Sequence, residues 1–268
     1  MKKQIITLVA VASIAAGYTM AYAAAGSNGG GIVGSKHDMN VWLGANGGKV
    51  DTDLRTCAYC HTPHHANGAL EQVTVQVDAD PLNDVTYDIY APLWSRTTQN
   101  GNYAQYASAT FDPANEGKFY DAMAGPSRLC MTCHDGSIAA DAYYGQTGTA
   151  ALTRGDDNMN YFGSGSFAVG QSFGLMNDHP VGFEYDDMQD NVKYELKLSS
   201  STFAGSTKKI SDSLTDVNGM GIMTCASCHD VHNGKDVKNT APASGRGYFL
   251  LAPQANAALC LSCHDKNS

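Results

Sequence analysis

All eight cysteines of the chain fall into one repeated five-residue pattern, and that pattern limits what the chain can fold around. Cys57-Ala58-Tyr59-Cys60-His61, Cys130-Met131-Thr132-Cys133-His134, Cys225-Ala226-Ser227-Cys228-His229 and Cys260-Leu261-Ser262-Cys263-His264 are four copies of C-x-x-C-H, with no cysteine left over. This is the pattern of c-type haem attachment. Two thiols add to the two vinyl groups of one haem, and two intervening residues let both sulfurs reach one porphyrin edge. The adjacent histidine then ligates the iron from the proximal side. A single C-x-x-C would serve zinc or a redox disulfide equally well, but four copies, each followed by His, favour haem. The expected cofactors are four covalently attached c-type haems. Their thioethers form at Cys57, Cys60, Cys130, Cys133, Cys225, Cys228, Cys260 and Cys263, with His61, His134, His229 and His264 as proximal ligands.

The chain has nine histidines, so five remain: His37, His64, His65, His179 and His232. Four haems need four distal ligands, and five free histidines suffice with one spare. Every haem is therefore expected to be bis-histidine, with His37, His64, His179 and His232 as distal ligands and His65 as the alternate to His64. Methionine is the rival ligand. Most of the ten Met are scattered, and Met131 lies inside a motif where it cannot fold back. Reach adds a constraint. Histidines on opposite faces of one haem have Cα atoms about 12 Å or more apart, whereas three residues span at most ~10–11 Å. His64 follows His61 by three, and His232 follows His229 by three, so each should cap the haem of another motif. Haems in close pairs are then required.

The N-terminus reads as a targeting segment. Lys2 and Lys3 precede an apolar stretch from Ile5 to Ala16, and Ala21-Tyr22-Ala23 has the small-x-small pattern of a cleavage site. A signal peptide over 1–23 and a mature domain over 24–268 are expected, with no transmembrane segment in the mature chain. The apolar stretch falls short of the ~20 residues a span needs. Without Lys2 and Lys3 the 17 basic residues become 15 against 26 acidic ones, a balance of −11. Such a surface repels phosphate backbones, which excludes nucleic acid as a partner.

The mature chain is about 245 residues, enough for one or two ordinary domains, yet few segments show sustained helical periodicity. Four haems on this length would supply much of the buried apolar material. The fold class expected is a multihaem c-type cytochrome. It would be mostly coil and loops, with short helices and a few short strands, packed around four haems. Val73–Val77 and Val192–Leu198 alternate as half-buried strands do. Ala114–Ala124 and Ala255–Leu261 read as short helices, and Tyr143–Gly174 as a long loop. An internal duplication is also visible, about 24–140 and 141–268. Thr56 through His64 matches Thr224 through His232, and Leu129 through Asp135 matches Leu259 through Asp265. In that alignment His37 corresponds to His179 and His64 to His232.

Several segments in order carry a wider likeness: Cys57 to Ala66, Ala91-Pro92-Leu93-Trp94-Ser95-Arg96, Leu129 to Gly136, Asp178-His179-Pro180-Val181-Gly182-Phe183, and Cys225 to His232. The chain resembles the OmcE-like tetrahaem outer-surface cytochromes, from about His37 to the C-terminus. The resemblance implies a homopolymeric extracellular filament with a continuous haem chain. It also implies that a histidine of one subunit ligates a haem of the next, with His37 the residue expected in that role.

These readings point to electron transfer rather than enzymatic turnover. Bis-histidine ligation leaves no open iron site, and without a Met ligand low potentials are expected. The function expected is long-range electron transfer, with other redox proteins as donors and extracellular acceptors, in a protein that is secreted to the extracellular space or cell surface. A discrete soluble periplasmic shuttle is the alternative. A multihaem reductase is disfavoured, because all four motifs end in His and the spare histidines can fill every distal site.

Overall fold

The computed structural model describes residues 31–35, 37–46, 48–64, 66, 72–89, 91, 93–98, 103–135, 140–146, 169–170, 174–189, 195–232 and 249–266. The expected signal peptide, His65 and most of the 143–174 loop lie outside them. The described chain is a mixture of short helices and short strands joined by loops.

The strands form two small ribbons. β1 (Gln72–Val75) pairs antiparallel with β2 (Val85–Asp88), and β3 (Thr215–Val217) with β4 (Met220–Ile222). In β1 the predicted alternation is realised one residue early and is shorter: Gln72 and Thr74 are exposed, Val73 and Val75 half-buried. β3 and β4 are joined by Asn218-Gly219, both at positive φ (52° and 89°), the conformation that a two-residue hairpin matched to strand twist requires. Asn218 Nδ2 donates to Thr86 O at 2.8 Å, tying one ribbon to the other.

The principal helices are α1 (Met39–Asn46), α2 (Pro126–His134), α3 (Tyr185–Gln189) and α4 (Cys260–Cys263). α2 starts on Pro126, whose missing N–H costs nothing in a first turn. The helix expected over Ala114–Ala124 is replaced by one 3-10 turn, Ala114–Glu116, which ends on Gly117 in the left-handed region. Beyond it the chain runs extended. Phe119 faces the cluster with Tyr87 and Val217, while Tyr120 faces the one with Phe111 and Phe183, and such alternation suits an extended chain rather than a helix. Over Ala255–Leu261 a 3-10 turn at Ala255–Ala257 leads into α4. The expected strand near Val192–Leu198 finds no hairpin partner among the described residues. Its described part pairs with the fourth motif: Leu196 bridges His264, Lys197 N donates to Cys263 O (2.8 Å), and Asp265 N donates to Glu195 O (2.7 Å).

Among the described residues, buried apolar side chains gather into four separate clusters. The largest holds Phe111, Tyr120, Phe183, Tyr185, Met188, Phe203, Ile210, Met223, Leu251 and Ala252. The others centre on Leu43 and Tyr59, on Tyr87 and Phe119, and on Tyr103 and Met131. A domain with one continuous interior normally shows one contiguous cluster with minor satellites.

Gly182 holds the two halves of the described chain together. Its carbonyl accepts from Asp121 N (2.8 Å) and its N–H donates to Met223 O (2.6 Å), while Phe183 bridges Tyr120 and Glu184 bridges Ile222. Its φ is +91°, and a Cβ there would land on the Asp121 carbonyl. Only glycine fits so close a backbone approach at positive φ.

Candidate functional site

Each C-x-x-C-H motif is wound into about one helical turn. His61 N donates to Cys57 O (2.8 Å), His229 N to Cys225 O (3.1 Å) and His264 N to Cys260 O (2.9 Å), while the second motif is the end of α2. Residues i and i+3 share a helix face, so one turn sets both thiols side by side. The turns are anchored from the opposite side. The residue before the second cysteine is buried in all four copies: Tyr59, Thr132, Ser227 and Ser262. Tyr59 Oη accepts from Asp51 N (2.7 Å) and donates to Asn40 Oδ1 (2.9 Å). Thr132 Oγ1 donates to Leu129 O (2.6 Å), Ser227 Oγ to Ser213 O (2.9 Å), and Ser262 Oγ to Ala258 O (2.8 Å). Cys57 and Cys260 are exposed and the other six cysteines are of intermediate exposure.

Three of the four motif histidines stand opposite a histidine from elsewhere in the chain. Ring centroids are 5.9 Å apart for His37 and His134, 6.3 Å for His61 and His232, and 6.2 Å for His179 and His264. Metal–imidazole bonds are about 2 Å long and the ring centre lies roughly 1.1 Å behind the nitrogen, so two rings sharing one ion sit about 6 Å apart. Edge-to-face aromatic pairs also span about 4.5–7 Å, and the pairs at His134 and His264 are T-shaped. The donor set fits one six-coordinate iron between each pair, beside a pair of thiols. Among the described residues no group of three or more His, Cys, Asp or Glu side chains converges as for a bare ion.

At His37 and His264 the environment favours the ligating, neutral form of the imidazole. Burial, reinforced by His134 and His229, pushes the pKa of His37 down to about 4. Burial, then His179, also lowers that of His264. His179 Nδ1 lies 3.0 Å from Pro180 O, a contact that, with the proton on Nδ1, leaves Nε2 available to a metal. Phe249 stacks on His37 at 5.0 Å, a partner the sequence did not point out. The thiols are shifted in both directions. Burial raises Cys60 and Cys228 to about 12 and Cys263 to about 11, whereas a hydrogen bond with Cys130 lowers Cys225 to about 7.

The pairing supplies partners that spacing left open. Within the chain His37 faces His134. Its position is set locally. α1, which follows directly, is fastened to the first motif by Asn40 Nδ2 to Thr56 Oγ1 (3.3 Å) and by the Tyr59 hydroxyl to Asn40, and Asp38 accepts from Thr56 Oγ1 (3.4 Å). His232, three residues beyond His229, stands across from His61 in the other half of the sequence. His64 is exposed, its backbone held in a tight turn by the Thr62 hydroxyl. It is not in one of the three pairs, and His65 lies outside the described residues.

The first and third motifs carry the same backbone clasp. Ser95 N donates to Cys60 O (2.9 Å) and Thr62 N to Leu93 O (2.7 Å); Leu251 N donates to Cys228 O (3.0 Å) and Asp230 N to Phe249 O (2.9 Å). Leu93 and Phe249 both adopt positive φ (52° and 60°), and Trp94 and Leu250 bridge the motif histidines. Spacing hid this correspondence, because the clasp lies at different distances from the two motifs. The second and third motifs are in contact: Cys225 N donates to Ser127 Oγ (3.1 Å), and the Cys130 and Cys225 thiols hydrogen-bond each other.

No known protein family matches the chain, no curated protein matches it, and no solved structure matches it. No described helix is long and apolar enough to cross a membrane.

Proposed function

We propose that the chain is a secreted tetrahaem c-type cytochrome that transfers electrons over long range through bis-histidine haems, as the subunit of an extracellular filament. The observation that carries this reading is the set of three histidine pairs at 5.9–6.3 Å, each joining a motif histidine to one outside the motifs. Haem supplies reversible one-electron chemistry at iron. The chain's own residues do the rest. His37, His232 and His179 close the distal faces opposite His134, His61 and His264. His64 or His65 serves His229, which mirrors the use of His232 at the first motif. Two imidazoles per iron exclude substrate and favour low potentials, and a ligand set that changes little between oxidation states suits electron transfer.

Adjacency supports a relay. Cys60 lies within electrostatic reach of Cys133, Cys130 touches Cys225, and Cys228 lies within reach of Cys263, so the attachment sites follow one another in chain order. Exposed Leu54 near the first motif, and Leu198 and Leu261 near the fourth, offer apolar contact area at the outer sites, which favours assembly end to end.

Two measurements test the reading. Intact mass of the secreted protein should equal the mature chain plus four haems, with a low-spin spectrum that carbon monoxide leaves unchanged; fewer haems, or carbon monoxide binding, would refute it. Electron microscopy of material sheared from producing cells should show uniform filaments containing this chain. Monomeric particles confined to the periplasm would leave a diffusing shuttle.

A further inference from the structure

The two backbone clasps are matched in geometry and opposite in chemistry. Against the third motif the clasp is Phe249-Leu250-Leu251-Ala252, all four buried and apolar. Against the first motif the equivalent positions after Leu93 are Trp94, Ser95 and Arg96, which are 7%, 4% and 3% exposed. Burying polar groups where the other half of the chain buries hydrocarbon is costly unless the donors are used.

Two of those donors go unused among the described residues. Trp94 Nε1 and Ser95 Oγ are buried and meet no hydrogen-bond partner among the described residues. Each such orphan is destabilising unless an acceptor reaches it. The backbone at both residues is held in place. Trp94 is held by its bridge to His61, its ring 6.0 Å from the His61 ring in a T-shaped arrangement, and Ser95 is pinned between Cys60 O and Tyr144 N (2.9 Å each). Arg96, the next residue in the chain, is a buried cation. It donates from Nη1 to Ala140 O (2.9 Å), and its charge reaches Cys60. An indole N–H, a hydroxyl and a guanidinium beside one attachment motif describe a site for an anion that accepts hydrogen bonds.

On the functional reading above, we infer that Trp94, Ser95 and Arg96 form a carboxylate-binding site that takes a propionate of the haem attached at Cys57 and Cys60, and that the third-motif haem has no counterpart. The anion is a carboxylate because a haem brings two of its own into the protein, and a charge-assisted hydrogen bond is the strongest return on a buried donor. The Trp94 N–H and Ser95 O–H supply directed hydrogen bonds, and Arg96 supplies compensating charge. The propionate is thereby kept ionised in a buried setting, and the first haem differs electrostatically from its repeat partner.

The test uses holoprotein loaded with haem carrying 13C at the propionate carboxyls, studied by redox-difference infrared spectroscopy. Trp94→Phe removes the N–H and keeps the ring, Ser95→Ala removes the hydroxyl, and Leu251→Ala serves as the matched change in the other clasp. The expected result is a shift of a label-sensitive carboxylate band in the first two variants and not in the third, with four haems retained by mass. An unchanged labelled band in both Trp94→Phe and Ser95→Ala overturns the inference, as does an equal shift in Leu251→Ala. Failure of the functional reading shows itself separately, as a wild-type mass short of four haems, and takes this inference with it.

Discussion

At the scale of single residues, histidines and carboxylates make the sharpest predictions. His179 faces His264 with its Nδ1 near Pro180 O, so on the proposed reading His179→Met exchanges one imidazole for a thioether at the fourth motif. One of the four midpoint potentials should rise, on the order of 100 mV, because the axial ligand is the strongest lever on haem potential. Spectroelectrochemical titration reads this directly, and four unchanged potentials would refute the pairing. Alanine substitution separates the remaining pair: one of His64→Ala and His65→Ala should turn a single haem high-spin, and the other should leave the spectrum unaltered. Asp51 gives a pH prediction. Arg55 donates to it from Nε (3.0 Å) and Nη2 (2.8 Å), and these hydrogen bonds hold its carboxyl down at about 2. A carboxyl depressed in the folded state stabilises above its unfolded value of about 3.9, and that contribution drains away as the pH falls through the folded value. Asp51→Asn should therefore flatten the loss of stability between those limits in acid-unfolding curves.

At the scale of elements, close backbone approaches matter more than helix or strand length. Gly182→Ala forces a Cβ onto the Asp121 carbonyl at φ +91°, where a side chain is already penalised by about 1–2 kcal/mol before any clash. The variant should lose more than about 2 kcal/mol in denaturant titration and disturb the approach of His179, three residues earlier. One hydroxyl of α4 links it to the preceding turn and to the Ala204 backbone. Ser262 Oγ donates to Ala258 O and accepts from Ala204 N (3.0 Å), so Ser262→Ala strands a backbone donor and should cost about 1–3 kcal/mol. Loosening of the fourth motif should follow, seen as faster amide exchange at Ala204. An intact exchange rate would show that the hydroxyl is dispensable.

At the scale of the whole molecule, the described residues bury their apolar side chains in four separate clusters, the largest of ten members. On the proposed reading the porphyrins lie between them and complete them. The chain produced without haem attachment should then show no cooperative thermal transition by calorimetry and should be digested rapidly by protease, as in proteins whose folding and cofactor binding are one process. A cooperative transition in the haem-free chain would show that the clusters suffice alone.

Much of the candidate site was legible from the sequence, because attachment chemistry demands a fixed spacing within five residues and a histidine census is complete in any order. The C-x-x-C-H copies, the candidate distal residues His37, His179 and His232, and the β1 alternation could all be read without coordinates. What spacing could not express was partnership. That His232 meets His61 across some 170 residues, that Phe249 stacks on His37, and that Trp94-Ser95 and Leu250-Leu251 are equivalent clasps depend on chain segments whose separation follows no periodic rule. The expected helix over Ala114–Ala124 failed for the same reason, since Phe119 and Tyr120 are claimed by two different clusters. By itself the sequence determined which atoms are available for bonding to haem, because covalent and ligand chemistry is local. Only the tertiary structure decided which histidine faces which and where a buried donor lacks an acceptor, because those are set by close approaches between distant backbones, Gly182 and the two clasps foremost among them.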